Sequence, residues 1–100
     1  SFLNIYAKHN IVNSMAHEIA RYVEIKGQIN GDTYAEFDRM NTIYGFTGAT
    51  VSFDKSGRLA LEETFTVTVK VPQKLGIGGI QVIPVTVTAV STGRSEVYWK

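Results

Sequence analysis

Residues 1–26, SFLNIYAKHNIVNSMAHEIARYVEIK, decide the fold, because their apolar side chains recur at helical spacing from the first turn onward. At about 100° per residue, one narrow arc of this helix carries the apolar residues Ile5, Val12, Ala16, Ile19 and Val23. Lys26 places a cation in the last turn, and Gly27 suits the left-handed position that ends many helices. The pattern predicts one long amphipathic helix that ends at Lys26.

A second, shorter helix is predicted after the linker at residues 28–32. Thr33 and Glu36 have the spacing of a capping box, in which a hydroxyl and a carboxylate satisfy free amide groups at a helix start. Apolar side chains at helical spacing follow, namely Tyr34, Phe37, Met40 and Tyr44. Gly45 marks the expected end of this helix.

From Gly48 onward the apolar period changes to two residues, which is typical of strands with one buried face. Residues 54–57, DKSG, are turn formers, so we expect a hairpin whose second strand returns from Arg58. In that strand the inward residues are Phe65, Val67, Val69 and Val71, and the outward ones are Thr64, Thr66, Thr68 and Lys70. The adjacent Glu62 and Glu63 interrupt the alternation and predict a β-bulge.

A third strand is predicted over residues 80–90, IQVIPVTVTAV, with Ile83, Val85, Val87 and Ala89 inward. Pro84 has no amide hydrogen to donate, which places it at a sheet edge or at a break in pairing. Residues 95–100, SEVYWK, either extend this strand or form a fourth one. Both alternatives stay open.

These elements predict a single α+β domain over residues 1–100. The long N-terminal helix and the short second helix pack on one face of a three- to four-stranded antiparallel sheet. The chain has 100 residues, of which 44% are hydrophobic, so the core is of modest size. We expect the apolar arc of the first helix, from Val12 to Val23, to cover the inward face of the sheet.

The composition excludes several classes of function. The net charge is +1, from basic and acidic side chains spread along the chain, which indicates no nucleic-acid partner. The chain has no cysteine, which removes disulfides and thiolate chemistry. No stretch of the sequence reaches the roughly 20 apolar residues that a membrane helix needs.

His17 and Glu18 begin a pattern that is close to the zinc-protease helix motif. That motif needs a second imidazole one turn later, where this chain has Arg21, a cation that repels a metal ion. His9 lies roughly 80° around the helical wheel from His17, so the two rings do not converge. We predict no metal site and no cofactor.

The other candidate catalytic features also favour a structural interpretation. Residues 75–80, LGIGGI, join two predicted strands and lack the Lys-Ser/Thr pair and following helix of a phosphate loop. Glu62 and Glu63 are neighbours in an extended segment, so their carboxylates point to opposite faces and cannot share a substrate. We predict no catalytic residues and no enzyme activity.

Residues 16–22, AHEIARY, resemble the REAARYA signature that follows the membrane helix of TadE-like pseudopilins, with His17 where that family usually has Arg. Residues 93–100, GRSEVYWK, resemble the ending of an uncharacterised bacterial family of similar layout. The resemblance covers the first helix and the tail, and the middle of the chain only in pattern.

The resemblance implies a pilin-like, membrane-anchored extracytoplasmic domain whose native precursor carries a transmembrane helix ahead of residue 1. It implies a non-catalytic minor subunit of a pilus, secretion or conjugation apparatus, with other subunits of that apparatus as partners. The isolated domain is expected to be a monomer. The candidate assembly residues are Phe2, Leu3, Ile5 and Tyr6, because we expect them to lie beyond the reach of the sheet. The same residues could instead pack on Trp99 or on the second helix.

A soluble binding module of cystatin-like shape is the alternative, with the Gly-rich loop and the Trp99 end as its contact surface. The codons upstream of Ser1 discriminate between the two functions. About 20 apolar residues there favour the pseudopilin, whereas a signal peptidase site or a start codon favours the module.

Overall fold

Two helices and antiparallel β-structure form an α+β fold, as the sequence predicts. The computed structural model describes the backbone of residues 2–77 and 81–99, and the side chains of residues 9–74 and 83–99. The helices are α1, Phe2–Lys26, and α2, Gly31–Tyr44. The strands are β1, Gln28–Ile29; β2, Thr50–Phe53; β3, Gly57–Arg58; β4, Thr64–Ile77; and β5, Gln81–Arg94.

Helix α1 ends where the sequence predicts. Gly27 has a φ of 69° and donates its N–H to the carbonyl of Val23 at 2.7 Å. A Cβ atom at Gly27 would lie 2.5 Å from the Cβ of Val97, so the position requires glycine for its close packing as well as for its backbone angle.

Helix α2 begins earlier than predicted, and the expected capping box at Thr33 and Glu36 is wrong. The N-cap is Asn30, whose side-chain oxygen accepts from the N–H of Asp32 at 3.0 Å. The backbone N–H of Asn30 donates to the hydroxyl of Thr33 at 3.1 Å, so Thr33 is the third helical residue of the box. Asn is as effective an N-cap as Ser, and its position next to β1 starts the helix one turn sooner.

The main sheet has the strand order β2-β4-β5, and both pairings are antiparallel. The predicted hairpin is only partly correct, because β2 pairs with β4 and not with a strand that returns from Arg58. Residues 57–58 form β3, which pairs with β1 instead. The N–H of Leu59 donates to the carbonyl of Gly27 at 2.9 Å, and this bond holds the segment against the end of α1.

The predicted β-bulge at Glu62 and Glu63 is confirmed. Glu62 donates its N–H to the carbonyl of Ser95 at 2.8 Å, and Ser95 donates to the carbonyl of Glu63 at 2.9 Å. Both glutamates therefore face a single residue of the neighbouring segment. Glu62 has a φ of 66°, in the left-handed region.

The third strand is longer than predicted and lies at an edge of the sheet. Val87 and Ala89 are buried, as expected, whereas Ile83 is 40% exposed although its predicted position is inward. Pro84 pairs with Lys74 within an edge strand, which agrees with the prediction for a residue without an amide hydrogen. Strand β5 ends at Arg94, and residues 95–99 form neither an extension of it nor a fourth strand.

The core lies between α1 and the sheet. Four residues of the predicted arc of α1 are fully buried, namely Val12, Ala16, Ile19 and Val23, and Met15 beside them is buried too. The fifth residue of the arc, Ile5, has its side chain outside the described residues. The buried part of the arc packs with the inward residues of β4 and β5, which are Phe65, Val67, Val69, Val71, Val87 and Ala89. The outward residues of both strands are polar or exposed, so the helices cover one face of the sheet, as the alternation predicts.

Strands β4 and β5 are long compared with α1. Each has 14 residues, about 46 Å at roughly 3.3 Å per residue, whereas the 25 residues of α1 span about 37 Å. By length the hairpin can run beside the whole helix. The side chains of Phe2, Leu3, Ile5 and Tyr6 lie outside the described residues, so the expectation that they lie beyond the reach of the sheet stays a prediction.

Candidate functional site

The predicted assembly residues occupy the first turns of α1. The backbone of Phe2, Leu3, Ile5 and Tyr6 is helical, and their side chains lie outside the described residues. Their role in assembly stays a prediction. The part of α1 that follows has one buried face, centred on Ile19, and an exposed face that carries Asn13 and Ser14 together with Ile11.

Among the residues whose side chains are described, the large exposed apolar side chains are spread over both helices, β5, the turn before β4 and the tail. They are Ile11, Ile25, Tyr34, Ile43, Leu61, Ile83, Val90 and Tyr98. Single exposed apolar residues are ordinary in soluble domains and do not by themselves define a site.

A shallow groove runs between the exposed flank of α1 and β5. It has a volume of about 560 Å³ and is lined by Asn13, Ser14, His17, Glu18, Val90 and Ser91. The Nδ1 atom of His17 lies 3.5 Å from the hydroxyl oxygen of Ser91. Glu18 turns toward α2, where it accepts a hydrogen bond of 2.8 Å from the hydroxyl of Tyr44, and this bond raises the pKa of Tyr44. The groove is therefore open, and it presents both polar groups and the apolar side chain of Val90.

Arg21, which interrupts the protease-like motif, forms ion pairs that close the C-terminal end of α1. Its guanidinium donates to Glu96 and, at 3.1 Å, to Glu24. These hydrogen bonds raise the pKa of Arg21, the one to Glu96 most. Within residues 9–74 and 83–99, no cluster of three or more His, Cys, Asp or Glu residues could hold a metal ion.

The tail residues 95–99 wrap around the end of α1. Glu96 donates its N–H to the carbonyl of Glu24 at 3.0 Å, and the indole N–H of Trp99 donates to the carbonyl of Gly27 at 2.9 Å. The guanidinium carbon of Arg58 lies 4.4 Å from the centre of the Trp99 ring, a cation–π distance. Sequence reasoning missed these contacts, because nothing local relates the tail to Glu24.

The two halves of the contact surface expected for a binding module lie apart. The Gly-rich residues 75–80 are not all loop as predicted, because residues 75–77 belong to β4 at one end of the β4–β5 hairpin. Residues 78–80 lie outside the described part of the chain. Trp99 lies beyond the other end of the same hairpin, next to Gly27. A depression of about 490 Å³ beside it is lined by Arg58, Leu59, Ala60, Leu61, Tyr98 and Trp99.

The paired glutamates have separate structural contacts. Glu63 accepts the N–H of Ala60 at 2.7 Å and lies 3.3 Å from the ammonium of Lys55, and these contacts hold its pKa below the ordinary value. Glu62 is 3.8 Å from the guanidinium of Arg94. Glu63 thus stabilises the adjacent turn through its side chain, whereas the exposed ion pair of Glu62 contributes little.

The fold and these surfaces define a small two-layer α+β domain. Over its described residues, neither helix combines the length and the apolar character needed to cross a bilayer. The whole chain, residues 1–100, matches the family described as Domain of unknown function (DUF4320), and the chain belongs to that family. Neither the curated proteins nor the solved structures contain a match.

Proposed function

We propose that this chain is a non-catalytic, pilin-like subunit of a pilus, secretion or conjugation apparatus, related in design to TadE-like pseudopilins. In this proposal it works outside the cytoplasm and is anchored by a membrane helix that precedes Phe2. Its partners are other subunits of the same apparatus, and the contact residues are Phe2, Leu3, Ile5 and Tyr6.

The observation that carries the proposal is the contrast between the two ends of α1. From Val12 to Val23 the helix buries one stripe against β4 and β5 and exposes a polar flank. In residues 2–7, FLNIYA, the apolar side chains cover a broader arc, about 200° of the helical wheel at roughly 100° per residue, and Asn4 lies in the remaining gap. An apolar arc this broad exceeds the stripe that one sheet face covers, which favours further packing in a membrane or in a bundle of helices.

Charge and geometry support the same function. With a net charge of +1, the chain has little long-range attraction for a nucleic acid or an anionic surface, so apolar packing is the available driving force for assembly. The tail, residues 95–99, is hydrogen-bonded to Glu24 and Gly27 at the end of α1. These bonds fix the rest of the domain rigidly on this helix.

The proposal is tested by site-specific photo-crosslinking of the full-length protein in its native cells. A photoreactive phenylalanine analogue replaces Tyr6 in one variant and Tyr98, which is 70% exposed, in the matched control. We expect Tyr6 to crosslink to other copies of the chain or to other membrane-anchored subunits. A full-length gene that begins within a few codons of Ser1, or a Tyr6 variant that captures no subunit, would contradict the proposal.

The second candidate is the soluble binding module, and the depression beside Trp99 favours it. Leu61 and Tyr98 are exposed there, and Arg58 presents a cation over the indole ring. Aromatic residues and arginine dominate the energetics of many interfaces. Crosslinks from Tyr98 to one soluble protein, with none from Tyr6, would support this function instead.

A further inference from the structure

The charged residues of this chain separate along its long axis. The domain is elongated, with extents of 59 × 19 × 18 Å. All nine acidic residues lie outside residues 1–17 and 64–94, and these two segments carry only basic residues, namely Lys8, Lys70, Lys74 and Arg94. The net charge of +1 conceals this separation.

Two contacts fix the direction in which α1 runs along β5. Arg94 donates its N–H to the carboxylate of Glu24 at 2.8 Å, and the hydroxyl of Ser91 lies 3.5 Å from His17. Going from Glu24 back to His17 along the helix therefore corresponds to going from Arg94 toward the turn of the β4–β5 hairpin. The first turns of α1 and the far end of the hairpin thus lie at the same end of the molecule.

The hairpin extends past the first turn of α1. From His17 back to Phe2 the helix rises about 22 Å, at roughly 1.5 Å per residue. A similar distance along β5, at roughly 3.3 Å per residue, leads from Ser91 to Pro84. The two strands stay paired for three more residues beyond Pro84, which adds about 10 Å. These are positions along the long axis and not contacts, and they place the described backbone of the hairpin beyond Phe2.

Two exposed lysines lie on the outward face of this end of the hairpin. Lys70 and Lys74 are separated by an even number of residues in β4, so their side chains share the face opposite α1. Neither lysine takes part in the ion pairs of the described side chains. Asp54 accepts the N–H of Thr66, four residues or about 13 Å along β4 from Lys70. This distance exceeds the Debye length of about 8 Å at physiological ionic strength, so Asp54 does little to compensate the two lysine charges.

The rest of this end of the hairpin is uncharged and partly apolar. Ile83 is 40% exposed although it lies on the inward face, and Pro84, which pairs with Lys74, is exposed too. By sequence, β4 carries no charge after Lys74 and β5 carries none before Arg94. The affinity of a protein surface for a bilayer increases with the apolar area that it buries and with its electrostatic attraction to anionic lipids. This end of the molecule offers both.

We propose that the far end of the β4–β5 hairpin docks on an anionic lipid bilayer. Ile83 enters the boundary between headgroups and acyl chains, Lys74 lies among the lipid phosphates, and Lys70 faces them from the solution. The inference rests on the proposed function for the anchor, because a membrane helix that continues α1 ahead of Phe2 reaches the bilayer at the end where the hairpin projects. Docking gives the domain a second contact beside the anchor, which fixes its rotation about α1.

The first test is co-sedimentation of the chain, residues 1–100, with lipid vesicles, and it needs no anchor. We expect vesicles of phosphatidylcholine with about 30% phosphatidylglycerol to bind the chain at least about fivefold more strongly than vesicles of phosphatidylcholine alone, roughly the gain from one lysine at an anionic surface. Lys74→Glu should lower the binding at least about fivefold. Lys26→Glu makes the same change of charge at the opposite end of α1 and should lower it less than about twofold. Circular dichroism checks that each variant is folded.

The second test locates the apolar contact. Ile83→Ser should weaken binding to the anionic vesicles, whereas Ile43→Ser, at a side chain of α2 that is 64% exposed, should not. Ile83→Trp adds a second tryptophan to the chain, whose single native one is Trp99. Lipids with brominated acyl chains should quench the fluorescence of the tryptophan at position 83. They should not quench Trp99, which is bonded to Gly27 at the opposite end of the molecule.

The proposal is wrong if the chain does not bind the anionic vesicles or binds the neutral ones equally well. It is also wrong if Lys26→Glu weakens binding as much as Lys74→Glu, or if the brominated lipids quench Trp99 and not the tryptophan at position 83. The crosslinking test is separate from these results. Vesicle binding without a subunit captured at Tyr6 would contradict the proposed function alone, whereas a captured subunit without vesicle binding would contradict only this inference.

Discussion

Glu62 is the residue with the least favourable backbone conformation among the described non-glycine residues. Its φ of 66° lies in the left-handed region, where an L side chain is strained by about 1–2 kcal/mol. The bulge imposes this angle, because Glu62 must donate to Ser95 while Glu63 accepts from the same residue. The strain therefore results from pairing with a distant segment.

We predict that Glu62→Gly stabilises the domain by about 0.5–1 kcal/mol. Glycine adopts the left-handed conformation without strain, and its extra freedom in the unfolded chain offsets part of the gain. Urea denaturation measures the change in the free energy of unfolding. Glu63→Gly is the control and should destabilise, since Glu63 has no positive φ and bonds to Ala60 and Lys55. A less stable Glu62→Gly variant would mean that the side chain itself holds the bulge.

At the scale of elements, α1 and the β4–β5 hairpin form the core by matching two apolar stripes of different period. The buried residues of α1 recur every three or four positions, and those of β4 every two. The polar flank of α1 contacts the last residues of β5, where Arg94 donates its N–H to Glu24 and the hydroxyl of Ser91 lies 3.5 Å from His17. Packing energy is thus concentrated on one face of the helix.

We predict that Ile19→Ala lowers the free energy of unfolding by about 2–5 kcal/mol, because Ile19 has no exposed surface. The matched control is Ile11→Ala on the same helix, where the side chain is 39% exposed, and it should cost less than about 1 kcal/mol. Chemical denaturation of both variants gives the comparison. Equal losses would show that the two flanks of α1 contribute equally to the core.

At the scale of the whole molecule, the tail joins parts of the chain that are far apart in sequence. The indole N–H of Trp99 donates to the carbonyl of Gly27, and the guanidinium of Arg58 lies over the indole ring. The carbonyl of Ser95 accepts the N–H of Glu62 in the bulge. These contacts tie the end of α1, the small β1–β3 pair and the start of β4 into one unit. The domain is therefore closed at this end by its last described residues.

We predict that Trp99→Ala destabilises the domain by about 1–3 kcal/mol, from the lost hydrogen bond and the lost apolar contact. Tyr98→Ala removes a neighbouring aromatic side chain that is 70% exposed, and it should change stability by less than about 0.5 kcal/mol. Hydrogen exchange should show the Trp99→Ala loss at the amide of Leu59, which bonds to Gly27. An unaffected Leu59 amide would contradict this picture of the closed end.

The sequence predicted the elements whose signal is local and repetitive. The stop of α1 at Gly27 and the inward residues of β4 follow from helical period and strand alternation. The missing amide of Pro84 predicted a sheet edge or a break in pairing, and the structure has the edge. The bulge could also be predicted, because Glu62 and Glu63 break an otherwise regular alternation of inward and outward side chains. The candidate assembly residues also came from the sequence, and their contacts await the crosslinking test.

Tertiary structure alone decided the partners of each segment. A strand pattern does not specify which strand it pairs with. After Asp54 the chain first forms β3, which pairs with β1. It then forms β4, which pairs with β2. The cap at Asn30 is local, because Asn30 bonds to Asp32 and Thr33, and the sequence prediction placed it at the wrong residue. The bonds of the tail to Glu24 and Gly27 depend on contacts between residues distant in the chain. Such contacts form only when the core brings those residues together, which is why no local pattern encodes them.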